Sequence, residues 1–246
     1  MLFRSQAGRG DFLLTLRFGE VANGDTLLPQ YRVLPSLQHV HGSVTLKIRI
    51  MANEKKRALI VVDVQNDFCP GGSLAVAHGN EVVAPLNKLM KEFLDRGEPV
   101  FKTLDWHPAR TRHFKAFGGD WPIHCVQETP GAEFHPDLLD DPRITIISKG
   151  TDESADGYSG FDGTNLAQVL REEEVQEVFV GGLATDYCVK HTVLDARREG
   201  FEVKALADAM RAVNVNPDDG ARAVAEMRKA GAEIIGNSKK AAGGRE

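Results

Sequence analysis

The sequence predicts an α/β fold, namely a doubly wound, mainly parallel sheet of about six strands with helices on both faces in three layers. From residue 58 onward, short apolar runs alternate with longer segments whose apolar residues recur at helical spacing. The runs contain few polar positions, which indicates strands buried on both faces. A chain of 246 residues with 42% hydrophobic residues is long enough for one such domain and an appendage.

Each predicted strand is a short apolar run between helical segments. The strands are predicted at residues 58–64, 99–103, 144–148, 178–181, 203–207 and 233–235. The helices are predicted at residues 81–96, 165–173, 187–199 and 217–230. Gly97, Gly200 and Gly231 follow three of these helices, as C-cap glycines do. In a sheet of this type the active site is expected at the carboxyl ends of the strands.

Residues 1–50 are predicted to form a weakly structured N-terminal extension, ahead of a main domain at residues 51–246. They contain six Lys/Arg against three Asp/Glu, and Gly and Pro separate the apolar runs at 12–16 and 44–48, which could be short strands. The residues from Met51 to Lys56 look like a natural protein start. A start codon assigned too far upstream is therefore one explanation of the extension, and a genuine extra arm is the other.

Composition indicates a cytoplasmic protein that acts on small molecules. The net charge of -5 and the lack of dense Lys/Arg blocks argue against binding to nucleic acid or a membrane surface. No apolar stretch approaches the roughly 18 residues of a membrane span, and the N-terminus lacks the apolar core of a secretory signal. Three cysteines are an odd number, which argues for a reducing compartment and at least one free thiol.

Three reactive residue types follow predicted strands. Asp63 ends the first strand, Lys149 follows the third and Cys188 lies just after the fourth. At one edge of the sheet, the carboxylate could take the thiol proton and the ammonium could favour the thiolate. Because Cys188 also lies at the start of a predicted helix, its pKa is expected below the free value of about 8.5. Taken singly, Asp63 could be a cap, Lys149 a solvated charge and Cys188 a small buried hydrophobic residue.

A second group of candidate ligands follows the second predicted strand. It consists of Asp105, His107, His113 and His124. One carboxylate and three imidazoles suit zinc, iron or manganese, and the Asp-x-His spacing after a strand presents two ligands on the same side. The alternative is a histidine-rich surface loop, since the same segment also contains several Lys and Arg residues.

Taken together, these motifs resemble the nicotinamidase/pyrazinamidase branch of the isochorismatase-like cysteine hydrolases, over residues 57–237. The matching pieces are ALIVVDVQNDF at 58–68, DWHP at 105–108, WPIHC at 121–125, SKG at 148–150, YSGF at 158–161 and GGLATDYCV at 181–189. The resemblance implies an isochorismatase-like hydrolase domain from residue 51 that converts nicotinamide to nicotinate and ammonia through a cysteine thioester. It also implies activity on pyrazinamide and a role in NAD salvage.

By the same resemblance, the catalytic triad comprises Asp63, Lys149 and Cys188. The implied ligands of one divalent metal ion, with zinc favoured over iron or manganese, are Asp105, His107, His113 and His124. Nicotinamide is the implied partner, and the resemblance leaves open whether the chain forms a homo-oligomer.

The resemblance further implies a substrate pocket flanked by Phe68, Trp121 and Tyr158, although core packing is an equal alternative for Phe68 and Tyr158. Aromatic walls suit a flat heteroaromatic amide. The peptide bond before Ala184 is implied to be cis, with the backbone amides of Ala184 and Cys188 forming an oxyanion hole.

Two other interpretations remain. One is another enzyme of the superfamily, acting on carbamoyl or ureido groups or on a vinyl ether. Cys188 argues against the vinyl-ether hydrolases, and the Asp/His/His/His set argues against metal-free amidases. The other is a non-catalytic metal-binding or thiol-redox protein, which would leave Lys149 and the turn before Cys188 without a purpose.

Overall fold

The computed structural model describes residues 12–14, 31–40, 43–52 and 55–243, and the chain divides into two compact units, Met1–Lys55 and Lys56–Glu246. In the first unit three strands form an antiparallel sheet in the order β1-β3-β2. These strands are β1 (Phe12–Leu14), β2 (Tyr31–Val40) and β3 (Ser43–Ala52). Strands β1 and β3 overlap the two runs marked in the sequence, whereas β2 was not predicted. Strand β3 crosses the predicted domain boundary at residue 50, and that division stays a prediction.

The second unit contains a six-stranded sheet in the order β6-β5-β4-β7-β8-β9, in which every pairing is parallel. Its strands are β4 (Arg57–Val62), β5 (Val100–Asp105), β6 (Thr145–Lys149), β7 (Glu177–Leu183), β8 (Glu202–Arg211) and β9 (Glu233–Ile235). All six predicted strands are therefore confirmed.

α-Helices connect four of the five successive pairs of these strands, and 3-10 turns lie between β5 and β6. The α-helices are α1 (Val83–Asp95), α2 (Leu166–Glu172), α3 (Lys190–Arg198), α4 (Asp219–Lys229) and α5 (Ser238–Ala241). Shorter 3-10 turns occur at Asn66–Phe68, Gly79–Val82, Lys115–Phe117 and Pro130–Ala132. The predicted helix at 187–199 differs at its start, because a π-helical turn (Thr185–Val189) precedes α3. Among the described helices, none has both the length and the apolar character needed to cross a bilayer.

Alternate residues of the central strand β4 contribute to two separate cores. Ile60 and Val62 pack in one core, together with apolar residues of α2, α3 and α4. Leu59 and Val61 pack in the other, together with residues of α1. Successive side chains of a strand point to opposite faces of a sheet, so the sheet lies between two helical layers. The predicted three-layer arrangement is confirmed.

The sheet also determines where the candidate site lies. Asp105 at the end of β5 is the register partner of Lys149 at the end of β6, and Val62 at the end of β4 pairs with Gly182 near the end of β7. From β4 the chain first adds β5 and β6 on one side and then β7, β8 and β9 on the other. The strand order therefore reverses at β4. Ligands of open α/β sheets bind at such a point, outside the carboxyl ends of the strands.

Candidate active site

Asp63 follows β4 directly and is fully buried. Its backbone has φ +46°, a left-handed conformation that is uncommon outside glycine but tolerated by aspartate. Thr103 of β5 fixes the residue twice: the Asp63 N–H donates to Thr103 Oγ1 at 3.1 Å, and the Thr103 hydroxyl donates to Asp63 Oδ1 at 2.6 Å. One carboxylate oxygen of Asp63 is therefore held by a neighbouring strand, and the other, Oδ2, faces Lys149.

Lys149 is the last residue of β6, and its ammonium is buried among acceptors. Nζ donates to Asp105 Oδ1 at 3.0 Å, to the Gly157 carbonyl at 3.0 Å and towards Cys188 Sγ at 3.6 Å. Burial opposes the charge, but the carboxylates of Asp105 and Asp63 outweigh it and hold the pKa of Lys149 well above its ordinary value. The lysine is a fixed cation.

The second carboxylate oxygen of Asp63 faces the ammonium of Lys149. Oδ2 lies 2.8 Å from Lys149 Nζ as an ion-pair partner, and the same Nζ lies 3.6 Å from Cys188 Sγ. The Asp63 carboxyl also contacts the thiol, and this contact is one of the causes that raise the pKa of Cys188, after burial. A carboxylate in this position can take the thiol proton.

Cys188 lies in the π-helical turn after β7 and is 7% exposed. Burial raises the pKa of the Cys188 thiol well above its ordinary value, and the nearby ammonium of Lys149 only partly opposes this effect. The expected lowering of the Cys188 pKa is therefore wrong, because the loss of hydration outweighs one favourable charge. Burial also raises the pKa of Asp63, which Lys149 again opposes. A thiol whose pKa is raised needs a base beside it to become a nucleophile.

The three predicted histidine ligands form a buried cluster whose candidate ligand atoms all lie within 4.8 Å of one another. In each ring Nδ1 has its own acceptor: the Gly150 carbonyl for His107 at 3.1 Å, Asp156 Oδ1 for His113 at 2.9 Å and the Pro122 carbonyl for His124 at 2.8 Å. A carbonyl or carboxylate oxygen can only accept, so Nδ1 carries the proton in each ring. Every Nε2 therefore presents a lone pair to the centre of the cluster.

Asp105 completes the predicted set. Its Oδ2 lies 3.0 Å from His107 Nε2 and 3.5 Å from His124 Nε2, while Oδ1 receives the hydrogen bond of Lys149. The side chain of Gln65 holds the backbone of Asp105 with two hydrogen bonds, at 2.9 Å to its N–H and 2.8 Å to its carbonyl. One carboxylate thus connects the histidine cluster to Lys149.

The cluster fits a divalent metal ion on two observations. Within the described residues, His107 Nε2 is a buried nitrogen without a hydrogen-bond partner, which is costly unless an ion uses its lone pair. Gly150 has φ +66°, and a Cβ there would lie 2.7 Å from His107 Cε1 and 3.0 Å from Asp105 Oδ1. Three imidazoles and a carboxylate are a common ligand set for zinc and similar metals.

A small cavity opens beside the thiol, His113 and His124. The predicted residues Phe68, Trp121, Tyr158, Ala184 and Cys188 all line it. The Trp121 indole N–H donates to the Tyr158 hydroxyl at 2.8 Å, which fixes two of the aromatic walls relative to each other. The Leu183–Ala184 peptide bond is cis, as the resemblance implied.

Several site residues were not identified from the sequence. Tyr187 lines the cavity and packs edge-on against Trp121 at 4.7 Å between ring centroids. Thr103, Gln65 and Asp156 hold Asp63, Asp105 and His113, as described above. A polar residue at a buried strand position, such as Thr103, was the available signal for one of them.

Comparison with known proteins gives matches over the second unit. The Isochorismatase domain matches residues 57–238. A nicotinamidase of Escherichia coli is 42% identical over 199 residues, covering 72% of this chain and 93% of that protein. A nicotinamidase/pyrazinamidase of Mycobacterium tuberculosis is 41% identical over 190 residues, covering 74% of this chain and 100% of that protein. The crystal structure of Pyrococcus horikoshii pyrazinamidase in complex with zinc has a TM-score of 0.70 and 45% identity, covering 74% of this chain and 99% of that one.

Proposed function

The chain belongs to the isochorismatase family, and from this premise we infer that it hydrolyses nicotinamide to nicotinate and ammonia. The observation that carries the inference is the convergence of a thiol, a buried ammonium and a buried carboxylate on one aromatic cavity. Cys188 Sγ lies 3.6 Å from Lys149 Nζ, which lies 2.8 Å from Asp63 Oδ2. The sequence relatives that share this unit are amidohydrolases of nicotinamide.

In the first half of the proposed reaction, Sγ of Cys188 attacks the carboxamide carbon while its proton passes to Asp63 Oδ2. The raised pKa of the thiol means that this transfer accompanies the attack. The Lys149 ammonium stabilises the negative charge as it moves from the carboxylate to the sulfur. A carbon–sulfur bond forms, and the carbonyl oxygen becomes an oxyanion.

We propose that the backbone amides of Ala184 and Cys188 bind this oxyanion. Both residues line the cavity: Ala184 directly precedes the π-helical turn, and Cys188 lies within it. Loss of one such donor typically costs about 3 to 4 kcal/mol, so these amides would contribute a large part of the rate enhancement.

The intermediate then collapses, and ammonia departs with the proton held by Asp63, which leaves a thioester on Cys188. In the second half, Asp63 takes a proton from water as its oxygen adds to the thioester carbon. The carbon–sulfur bond breaks, the proton returns to the sulfur and nicotinate leaves. Asp63 therefore acts as base, acid, base and acid in turn.

We propose Asp105, His107, His113 and His124 as the ligands of one divalent metal ion. Zinc is the favoured ion, supported by the imidazole-rich set and by the zinc complex of the Pyrococcus relative. When bound, the metal supplies a Lewis-acidic site for the ring nitrogen of the substrate. Phe68, Trp121 and Tyr158 would enclose the ring, which also suits the diazine ring of pyrazinamide.

The product indicates a role in NAD salvage, because nicotinate re-enters the synthesis of pyridine nucleotides. The three free cysteines support the cytoplasm as the proposed location. The proposed partner is the small-molecule substrate.

An ammonia-release assay on metal-analysed protein tests the function. The panel contains nicotinamide, pyrazinamide, benzamide, which lacks the ring nitrogen, and an N-carbamoyl amino acid. Turnover of the first two, with much weaker turnover of benzamide, is expected. A preference for the N-carbamoyl compound would favour the carbamoyl-amidase interpretation, and no ammonia from any of them would exclude amidase activity on these classes.

A further inference from the structure

Three consecutive residues after β6 each contact a different part of the site. Asp156 Oδ1 accepts from His113 Nδ1 at 2.9 Å, the Gly157 carbonyl accepts from Lys149 Nζ at 3.0 Å and the Tyr158 hydroxyl accepts from Trp121. Of these three contacts, only that of Asp156 joins a side-chain carboxylate to a candidate metal ligand.

This contact differs from those of the other two histidines. His107 and His124 are oriented by the backbone carbonyls of Gly150 and Pro122, so no side-chain substitution at the acceptor can remove their partners. His113 is oriented by a side chain that is 63% exposed, although the imidazole itself is only 3% exposed. His113 is therefore the one histidine of this cluster whose Nδ1 partner can be removed by a side-chain substitution. That partner, the Asp156 carboxylate, lines the cavity.

We propose that Asp156 is a positioning residue, which fixes the tautomer and ring orientation of His113 and thereby strengthens the binding of a divalent metal ion. A carboxylate that accepts from Nδ1 keeps the proton off Nε2 and makes Nε2 a better donor to a metal. The inference rests on the proposed metal site and not on the identity of the amide that is hydrolysed.

The size of the effect follows from the exposure of Asp156. Loss of an outer-sphere partner typically weakens metal binding by about 10- to 100-fold. Because water competes for an exposed carboxylate, the lower end of that range, about tenfold, is expected here.

The surrounding backbone should keep its place without this carboxylate. The Glu153 carbonyl accepts from the Arg112 N–H at 2.9 Å and from the Thr111 hydroxyl at 3.3 Å. These bonds join the segment to the residues before His113 independently of the Asp156 side chain. A substitution of Asp156 therefore changes the partner of His113 while leaving the segment attached.

The test measures the affinity of the full chain for Zn²⁺ by competition with a chromophoric chelator. Asp156→Ala is expected to weaken binding about tenfold, and Asp156→Asn, which keeps a neutral acceptor, should fall between Ala and the wild type. The matched control is Asp152→Asn, since Asp152 lies in the same segment but its side chain accepts hydrogen bonds from Ser154 and not from a histidine. An Asp156→Ala affinity within about twofold of the wild type, or an equal loss in the Asp152→Asn control, would overturn the proposal.

A spectroscopic measurement separates positioning from general destabilisation. In metal-free protein labelled with ¹⁵N-histidine, the wild type should show one tautomer of His113 with Nδ1 protonated, and Asp156→Ala should show a mixture. A single unchanged tautomer in Asp156→Ala would count against the role. If the wild type binds Zn²⁺ with the expected dependence on Asp156 but releases no ammonia from nicotinamide, the proposed function fails and this inference stands.

Discussion

At the residue scale, the proposed reaction depends on one proton shared between Asp63 and Cys188. Burial raises the pKa of both groups, and the ammonium of Lys149 favours the charged form of each. Two interacting groups lose their protons in two steps whose apparent pKa values belong to the pair, and the form with one proton lies between them. The active form carries a single proton between the carboxylate and the thiol.

Replacing the proposed nucleophile should stop the reaction. Cys188→Ala is expected to abolish ammonia release while leaving the fold and the metal content unchanged, because no other thiol lines the cavity within the described residues. Cys69→Ala is the control and should stay active, since Cys69 is buried and its thiol pKa is raised to about 11. Iodoacetamide should label Cys188 first, because the Asp63 carboxylate can take its proton during the attack, whereas Cys69 has no such base among the causes of its raised pKa, and nicotinamide should protect Cys188. Substantial turnover by Cys188→Ala, or first labelling at Cys69, would contradict the mechanism.

The hydroxyl of Thr103 provides a test of the base. It donates to Asp63 Oδ1 and lowers the pKa of that carboxyl, against the larger effect of burial. Thr103→Val removes the donor, so the pKa of Asp63 should rise. A base must be ionised to act, and a higher pKa keeps it protonated to a higher pH. The acid limb of kcat/KM should therefore move to higher pH.

The control for this prediction is Thr192→Val, which removes another buried hydroxyl, one that accepts from the Gly160 N–H and does not contact Asp63. Both variants are measured at equal metal content. An acid limb that stays in place in Thr103→Val, or moves equally in Thr192→Val, would argue against Asp63 as the base.

At the element scale, the turn that follows β6 brings Lys149 and the histidine cluster together. Gly150 permits this with φ +66° and with no side chain between the turn and His107. The next residues continue through Gly157, whose carbonyl holds Lys149. One connection thus determines the position of a proposed catalytic group and the packing around a candidate ligand.

Gly150→Ala should damage the metal site. The added Cβ would lie 2.7 Å from His107 Cε1, closer than real Cβ contacts, so the imidazole must shift. Weaker Zn²⁺ binding and a higher KM for nicotinamide are expected, as in wild-type protein stripped by a chelator and in His107→Ala.

Gly163→Ala is the control that separates crowding of a ligand from the backbone cost of a side chain at positive φ. Gly163 has φ +65° with nothing within 4 Å of an added Cβ, so this variant meets the backbone cost of about 1 to 2 kcal/mol without crowding a ligand. It should lose stability but keep its metal affinity and KM. An equal loss of metal affinity in Gly150→Ala and Gly163→Ala would show that crowding of His107 is not the cause. An unchanged KM for nicotinamide in metal-free protein would refute the ligand assignment.

At the scale of the whole molecule, the site belongs to one of the two units. Every residue placed in the triad, the histidine cluster and the cavity lies within Lys56–Glu246. The Isochorismatase domain likewise begins at residue 57. The chemistry is therefore assigned to the second unit.

A chain that begins at Met51 should keep full activity, because it contains the whole second unit and all the site residues. Ammonia release and the unfolding temperature of the shortened and complete chains provide the comparison. A loss in kcat/KM of more than about tenfold, equivalent to roughly 1.4 kcal/mol, would show that the first unit takes part in the enzyme.

The sequence by itself determined the elements that depend on local pattern. Apolar runs and helical spacing predicted all six strands of the parallel sheet, because a strand buried on both faces is nearly all apolar. The position of reactive residues after these strands predicted that Asp63, Lys149 and Cys188 meet, since the ends of parallel strands share one edge. The resemblance supplied the cis bond before Ala184 and the expected aromatic residues of the cavity.

Tertiary structure alone decided the properties that depend on burial and on distant neighbours. Charge and helix position predicted a lowered pKa for Cys188, but burial raises it, and the extent of burial is set by packing that local pattern does not encode. Thr103 and Asp156 acquired their roles in the same way, because their partners lie 40 and 43 residues away in the chain. Sequence spacing identifies groups that can react, whereas the fold decides their hydration and their hydrogen-bond partners, and these set which group holds the proton.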